Sequence, residues 1–151
     1  MRRSDREIHD RAEIEEIIQQ AEICHLAMVD GEEPYIVTMH HGWYKGSLYL
    51  HCASSGKKLD ILGKNPAVCF TVLGGWATTP GLKACDWSAR YRSVVGFGRA
   101  EILVSAEDKR AGLDLIMARH AAGRQVYDEK ALQAVTVIRV NVTRMTGKAK
   151  A

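Results

Sequence analysis

Three short stretches of this 151-residue chain carry side chains that could act together. The first is Ser54-Ser55-Gly56-Lys57-Lys58. A polar loop of this kind can cap a helix, and two lysines in the first turn oppose the positive end of the helix dipole at about 0.3–1 kcal/mol each. An anion docked on the free N–H groups reverses that balance, because phosphate is favoured at a helix start and the lysines then add attraction. A solvated lysine pair on a surface helix satisfies the same pattern. The second stretch is Arg90-Tyr91-Arg92-Ser93. On a strand the two arginines share one side and Ser93 takes the other, so one face gains positive charge. An exposed strand end would carry the same residues.

The third set is His40-His41 with His51-Cys52, on two strands that a hairpin-like break at Lys45-Gly46 would bring side by side. A metal ion needs three or four ligands in defined geometry, and the carboxylates that would complete such a set are missing nearby, so no metal is expected. A histidine titrates near neutrality and could serve beside a redox cofactor. Structural histidines bonded to backbone fit the same residues. Gly96-Phe97-Gly98-Arg99-Ala100-Glu101 is not a dinucleotide fingerprint, because it lacks the third glycine and falls inside a strand pattern. No GxSxG, HExxH or P-loop sequence occurs.

These residues need a frame. Asp10 with Glu13 makes a capping-box-like helix start, and Ile14, Ile17, Ile18 and Ala21 fall on one face. Strands are predicted over residues 23–29, 34–41 and 47–52, punctuated by Asp30-Gly31 and Lys45-Gly46. A short helix over 57–64 stops at Asn65-Pro66, since the residue before proline avoids helical geometry. Strands follow at 67–73 and 91–104, the second with Gly96 and Gly98 marking a bend or bulge. Residues 74–87, rich in Gly, Pro and Thr, read as a loop. Ser105 opens a third helix with Leu113, Ile116 and Met117 on its buried face. Residues 135–142 alternate as a last strand, and 147–151 read as a basic tail. Six strands joined mostly by short turns, with three helices outside them, predict an α+β fold built on an antiparallel barrel. A doubly wound parallel sheet would need helices between the first three strands.

At 46% hydrophobic and 26% charged residues, the composition is that of an ordinary globular chain, and residues 1–151 make one domain. The longest apolar runs fall far short of the ~20 residues a membrane helix requires. The charged start, Met1-Arg2-Arg3-Ser4-Asp5-Arg6-Glu7, has no apolar stretch behind it, so no secretory signal is expected. Cys24, Cys52, Cys69 and Cys85 form no CxxC pair and read as reduced thiols, which makes the cytoplasm the expected compartment. The net charge of +3 conceals an asymmetry. Residues 40–100 hold eight basic and two acidic side chains, a balance of +6, against −3 for the rest. The middle of the chain therefore favours an anionic partner. Nucleic acid would want a denser basic stripe with interleaved aromatics, hinted at only by Arg90-Tyr91-Arg92. A small phosphorylated ligand fits better.

Taken in order, the 34–41 strand, Leu48-Tyr49-Leu50-His51-Cys52-Ala53, Gly56-Lys57-Lys58, Asn65-Pro66, and Tyr91-Arg92-Ser93-Val94 through Gly98-Arg99-Ala100-Glu101 resemble the pyridoxamine-phosphate-oxidase-like FMN-binding split barrels. The charged first helix, the histidine after the Leu-Tyr-Leu strand, Trp87-Ser88 with Tyr91 to Val94, and Thr146-Gly147-Lys148 resemble the nitroimidazole-resistance (Nim-type) branch. The likeness spans nearly the whole chain. It implies an α+β, mostly antiparallel six-stranded split β-barrel with flanking helices, holding FMN.

The resemblance also implies roles. Lys57 and Lys58, with Ser55 in the same loop, would take the FMN phosphate. His51 and Cys52 would line the flavin and ribityl chain, and the strand of Val37, Thr38, Met39, His40 and His41 would edge the isoalloxazine ring. Arg92 and Ser93 match residues that a second subunit contributes, which implies a homodimer with the cofactor at its interface. His51 matches the histidine set against the flavin and is the expected functional residue. Electrons would pass from a small-molecule donor through reduced flavin to a small acceptor, nitro-aromatic compounds among them. Two alternatives stand beside this: haem on the same barrel, with His51 or His40 as axial ligand, and a non-catalytic flavin-binding module. Cys52 stands where the family often has Thr or Ser, which removes a hydroxyl hydrogen bond. The C-terminal arginine–histidine motif of pyridoxamine-phosphate oxidases has no match near Arg139 to Arg144, so the resemblance does not extend to oxidation of that vitamer.

Overall fold

The Asp10 carboxylate caps the first helix by accepting from the Ala12 N–H at 2.9 Å. That helix, α1 (Arg11–Gln20), buries Ile14, Ile17 and Ile18, the i, i+3, i+4 stripe of its sequence. Each such burial contributes about 1.5–3 kcal/mol. Glu13 is no capping-box partner here; it accepts from Arg92 of a distant strand instead. The computed structural model describes residues 3–123 and 125–151.

The strands are β1 (Glu7–Ile8), β2 (Ile23–Asp30), β3 (Glu33–His40), β4 (Gly42–Tyr44), β5 (Ser47–Ala53), β6 (Ala67–Thr79), β7 (Ser88–Leu103) and β8 (Val135–Lys150). Helices α2 (Lys57–Lys64), α3 (Ala106–Met117) and α4 (Glu129–Ala134) complete the chain. All strands pair antiparallel in the order β3-β2-β6-β7-β8-β5-β4, with β1 added along β8. β3, at one end of that order, contacts β5 beside the short β4 that ends the other, so the sheet closes into a barrel split along that seam.

The α+β antiparallel architecture is as expected, and the strand count rises from six to eight because β1 and β4 are too short to carry a pattern. Two stretches differ in kind. Residues 74–79, read as loop, continue β6 opposite β7, with a register shift at Gly74. A Cβ on Gly74 would lie 2.8 Å from Ile17 Cγ2, so its glycine serves close packing within a strand. Residues 147–150, read as a tail, pair with β1 and β7. Here too a glycine misled: a Cβ on Gly147 would lie 2.8 Å from Ile14.

Inside the barrel lie Leu26, Leu48, Leu50, Phe70, Val72, Val94, Ile138 and Val140, all buried, closed at the ends by α1 and by Ile61 and Leu62 of α2. A smaller cluster of Leu103, Leu113, Leu132 and Val137 with Tyr49 packs α3 and α4 on the outside.

Candidate functional site

β3 and β5 meet at the seam, and the alternation of each decides what faces it. On β5, Leu48 and Leu50 are buried in the core, so His51 is forced outward and Cys52 inward. On β3, Val37 and Met39 turn to the core while Thr38 and His40 face out. The Lys45-Gly46 turn joining β4 to β5 has both φ angles positive, 46° and 78°, the geometry a two-residue hairpin favours.

After β5 the chain passes through exposed Ser54 and Ser55 to Gly56, the N-cap of α2. Gly56 has φ 140° and no side chain to cap with, and nothing lies within 4 Å of where a Cβ would stand. The first N–H groups of α2 therefore have no side-chain cap.

The two lysines behind Gly56 part company. Lys57 Nζ lies 3.6 Å from Asp30 and 3.9 Å from Glu33, and sits over the Tyr35 ring at 4.9 Å. Lys58 has no ion-pair partner among the described residues. Its charge bears instead on His51 and Cys52. Partial burial lowers the His51 imidazole below its ordinary value, with His40 and Lys58 adding to the effect. Burial raises the Cys52 thiol, against a smaller opposing pull from Lys58. Cys52 is thus held as a thiol and His51 as a neutral imidazole.

His40, His51, Cys52 and Lys58 are brought together. The other residues singled out from the sequence go elsewhere. Thr38 Oγ1 shares a 2.9 Å hydrogen bond with His25 Nδ1. His41 is buried and donates from Nε2 to the Ile18 carbonyl at 2.9 Å, and its Nδ1 has no partner among the described residues. Burial lowers its proton affinity too. Its side chain is structural, whatever its backbone edges. Arg92 reaches Glu13 (3.4 Å) and Glu16 (3.7 Å) of α1, and Ser93 lies between Leu73 and Lys148 in the sheet. Arg92 is in register with Ala149, whereas β5 pairs with the other end of β8, so one chain does not carry Arg92 to the seam.

Sequence reasoning missed His120, whose ring stands against His40. Eighty positions separate them, and no local pattern joins a histidine after a helix to one at a strand end. Among the described residues no group of three or more His, Cys, Asp or Glu could hold a metal ion, and no helix is long and apolar enough to cross a membrane.

The Pyridoxamine 5'-phosphate oxidase family pattern matches residues 10–149. A candidate 5-nitroimidazole antibiotic resistance protein from Bacteroides thetaiotaomicron is 36% identical, with a TM-score of 0.85 over 94% of this chain and 85% of its own. An FAD and haem binding protein from Mycobacterium smegmatis superposes with a TM-score of 0.86 at 19% identity, covering 96% of this chain and 73% of that one. A flavocytochrome from Azotobacter vinelandii has a TM-score of 0.81 at 19% identity, over 100% and 72%. The last two share the fold. No curated protein matches the chain in sequence.

Proposed function

Because the chain belongs to the pyridoxamine 5'-phosphate oxidase family, we propose that it is an FMN-dependent oxidoreductase, working as a homodimer and passing electrons from a small-molecule donor to a small acceptor such as a nitro-aromatic compound. The observation that carries this reading is the start of α2, which no side chain caps and which follows directly on exposed Ser54 and Ser55 and precedes Lys58, without an ion-pair partner among the described residues. That donor set suits a phosphate dianion. Lys58 takes the larger share of it, since Lys57 already has two carboxylates beside it.

Bound there, FMN would supply the electron-transfer chemistry, and the protein would position and tune it. His51, outward at the seam, is the functional residue of this proposal, and the strand from Val37 to His41 edges the ring with its backbone. Cys52 borders the ribityl chain without the hydroxyl that Thr or Ser would offer. Arg92 and Ser93 belong to the half of the site that a second copy supplies. The outer sheet surface supports such a copy. The in-register row Ile36, Ala27, Cys69 and Phe97 crosses four strands on that surface, with Ile36 63% exposed at one end and Arg144 lying over the Phe97 ring at 3.7 Å at the other. The kinship with a nitroimidazole resistance candidate supports the nitro-aromatic acceptor.

Purified protein incubated with FMN and freed of excess ligand is expected to be yellow, with flavin absorbance, and to turn over with a nicotinamide donor. A preparation that takes up no FMN at micromolar protein overturns the reading. Uptake without turnover makes it a flavin-binding module instead. The exposed imidazoles of His40 and His51 favour a second reading, axial ligation of haem. A Soret band on titration with haem, abolished by His51→Ala, selects it.

A further inference from the structure

The turn after α3 carries Arg119 and His120 to the barrel seam. Two contacts fix where it lands. Gly42 lets the helix backbone lie directly on β4, since a Cβ there would sit 2.6 Å from the Leu115 carbonyl carbon. Arg119 donates to the carbonyls of Gln19 (2.9 Å) and Gln20 (3.0 Å), which fastens the turn to the end of α1. His120 is thereby set edge-to-face on His40, with ring centroids 5.3 Å apart and planes at 89°.

His120 stands on His40, and His40 and Lys58 both bear on His51, so three imidazoles and one ammonium are linked in a chain along the seam. Among the described residues none of the four has a carboxylate within ion-pair distance. The ammonium and the ring N–H donors gathered there favour a negative group over a positive one. With Lys58 engaged on the flavin phosphate, His40 and His120 are left to meet the acceptor. Resting on the flavin reading above, we infer that His120 is a specificity-determining residue which, with His40, selects electron acceptors carrying a carboxylate over neutral ones of the same shape. Either ring can donate a charge-assisted hydrogen bond to that carboxylate once it arrives.

The test presents 4-nitrobenzoate and 4-nitrobenzyl alcohol, one nitro-aromatic with a carboxylate and one without, to the FMN-loaded protein after anaerobic photoreduction. In each reaction the reduced flavin gives up two electrons and two protons, and the nitro group becomes a nitroso group and water. Wild type is expected to reoxidise faster with nitrobenzoate. His120→Ala should slow that reaction about tenfold, the worth of one charge-assisted contact, and leave the alcohol unchanged. His120→Arg should keep the preference. Equal losses on both acceptors, or no loss on either, overturn the inference. A protein that takes up no flavin defeats the flavin reading alone. In that case millimolar 4-nitrobenzoate is added to the flavin-free protein and the His40 and His120 ring-proton resonances are followed, with His120→Ala for assignment. Shifts support the inference and their absence overturns it.

Discussion

On β2, β6 and β7, residues facing inward and residues facing outward are both largely apolar, yet they meet different surroundings. Leu26, Phe70 and Val94 are at most 1% exposed, while Ile23, Leu73 and Val95 on alternate positions are 39%, 49% and 36% exposed. Strand alternation sorted the side chains to two faces; it did not say which face the chain would cover. α1 and α2 close the inner face, and α3 with α4 covers the outer one at β4, β5, β8 and the Leu103 end of β7. An uncovered apolar sheet face marks an interaction surface. The seam with His51 lies at the flank of this partly exposed face, where a second copy could complete it.

The strongest way to break that comparison is to truncate one residue on each face. Phe70→Ala should cost about 3–5 kcal/mol in denaturant unfolding, because the cavity it leaves lies in a packed core. Ile36→Ala should stay within about 0.5 kcal/mol in the monomer. Equal costs would mean that the outer face is not free in one chain. Ile36→Glu combined with Leu73→Glu sharpens the other half. Two charges buried in a dimer interface should cost it several kcal/mol, on the order of 3, so light scattering should find monomers and FMN affinity should drop with them. An unchanged mass would remove this face as the interface.

The two lysines offer a smaller and finer contrast. Lys58→Ala should weaken FMN binding by about 1.5–3 kcal/mol, the range of a hydrogen bond to a charged group. Lys57→Ala should lose no more than about 1 kcal/mol, since its exposed pairs with Asp30 and Glu33 contribute little. Isothermal titration of both variants decides it, and an order reversed between them would move the phosphate to the hairpin side.

The smallest effect is one of pH. Burial lowers the folded-state pKa of His41 below its ordinary 6.5, so as pH falls past that value the unfolded chain takes up a proton that the folded chain resists. Stability from this group is present above pH 6.5 and is lost as the pH falls through the folded-state value. His51 acts in the same direction. His41→Gln, which keeps a donor for the Ile18 carbonyl, should flatten the decline of the melting temperature on acidification.

Local patterns were enough for α1, because its cap and its isoleucine stripe lie within one window of sequence. They were enough for the hairpins at Gly31 and Lys45-Gly46, where backbone geometry is written in residue type. They failed at Gly74 and Gly147, where a glycine spares room for Ile17 or Ile14 from another element, and a breaker in isolation becomes a packing residue. They failed also at Lys57 and Lys58, neighbours in sequence whose partners come from different strands. The amino-acid order alone determined the strand and helix periods, the order of the motifs and the excess of positive charge in the middle of the chain, since these depend on residues near one another. Only the folded chain decided that His120 joins His40 and that Arg92 turns to α1, because contacts between distant segments follow from sheet register and helix docking, which no short stretch encodes.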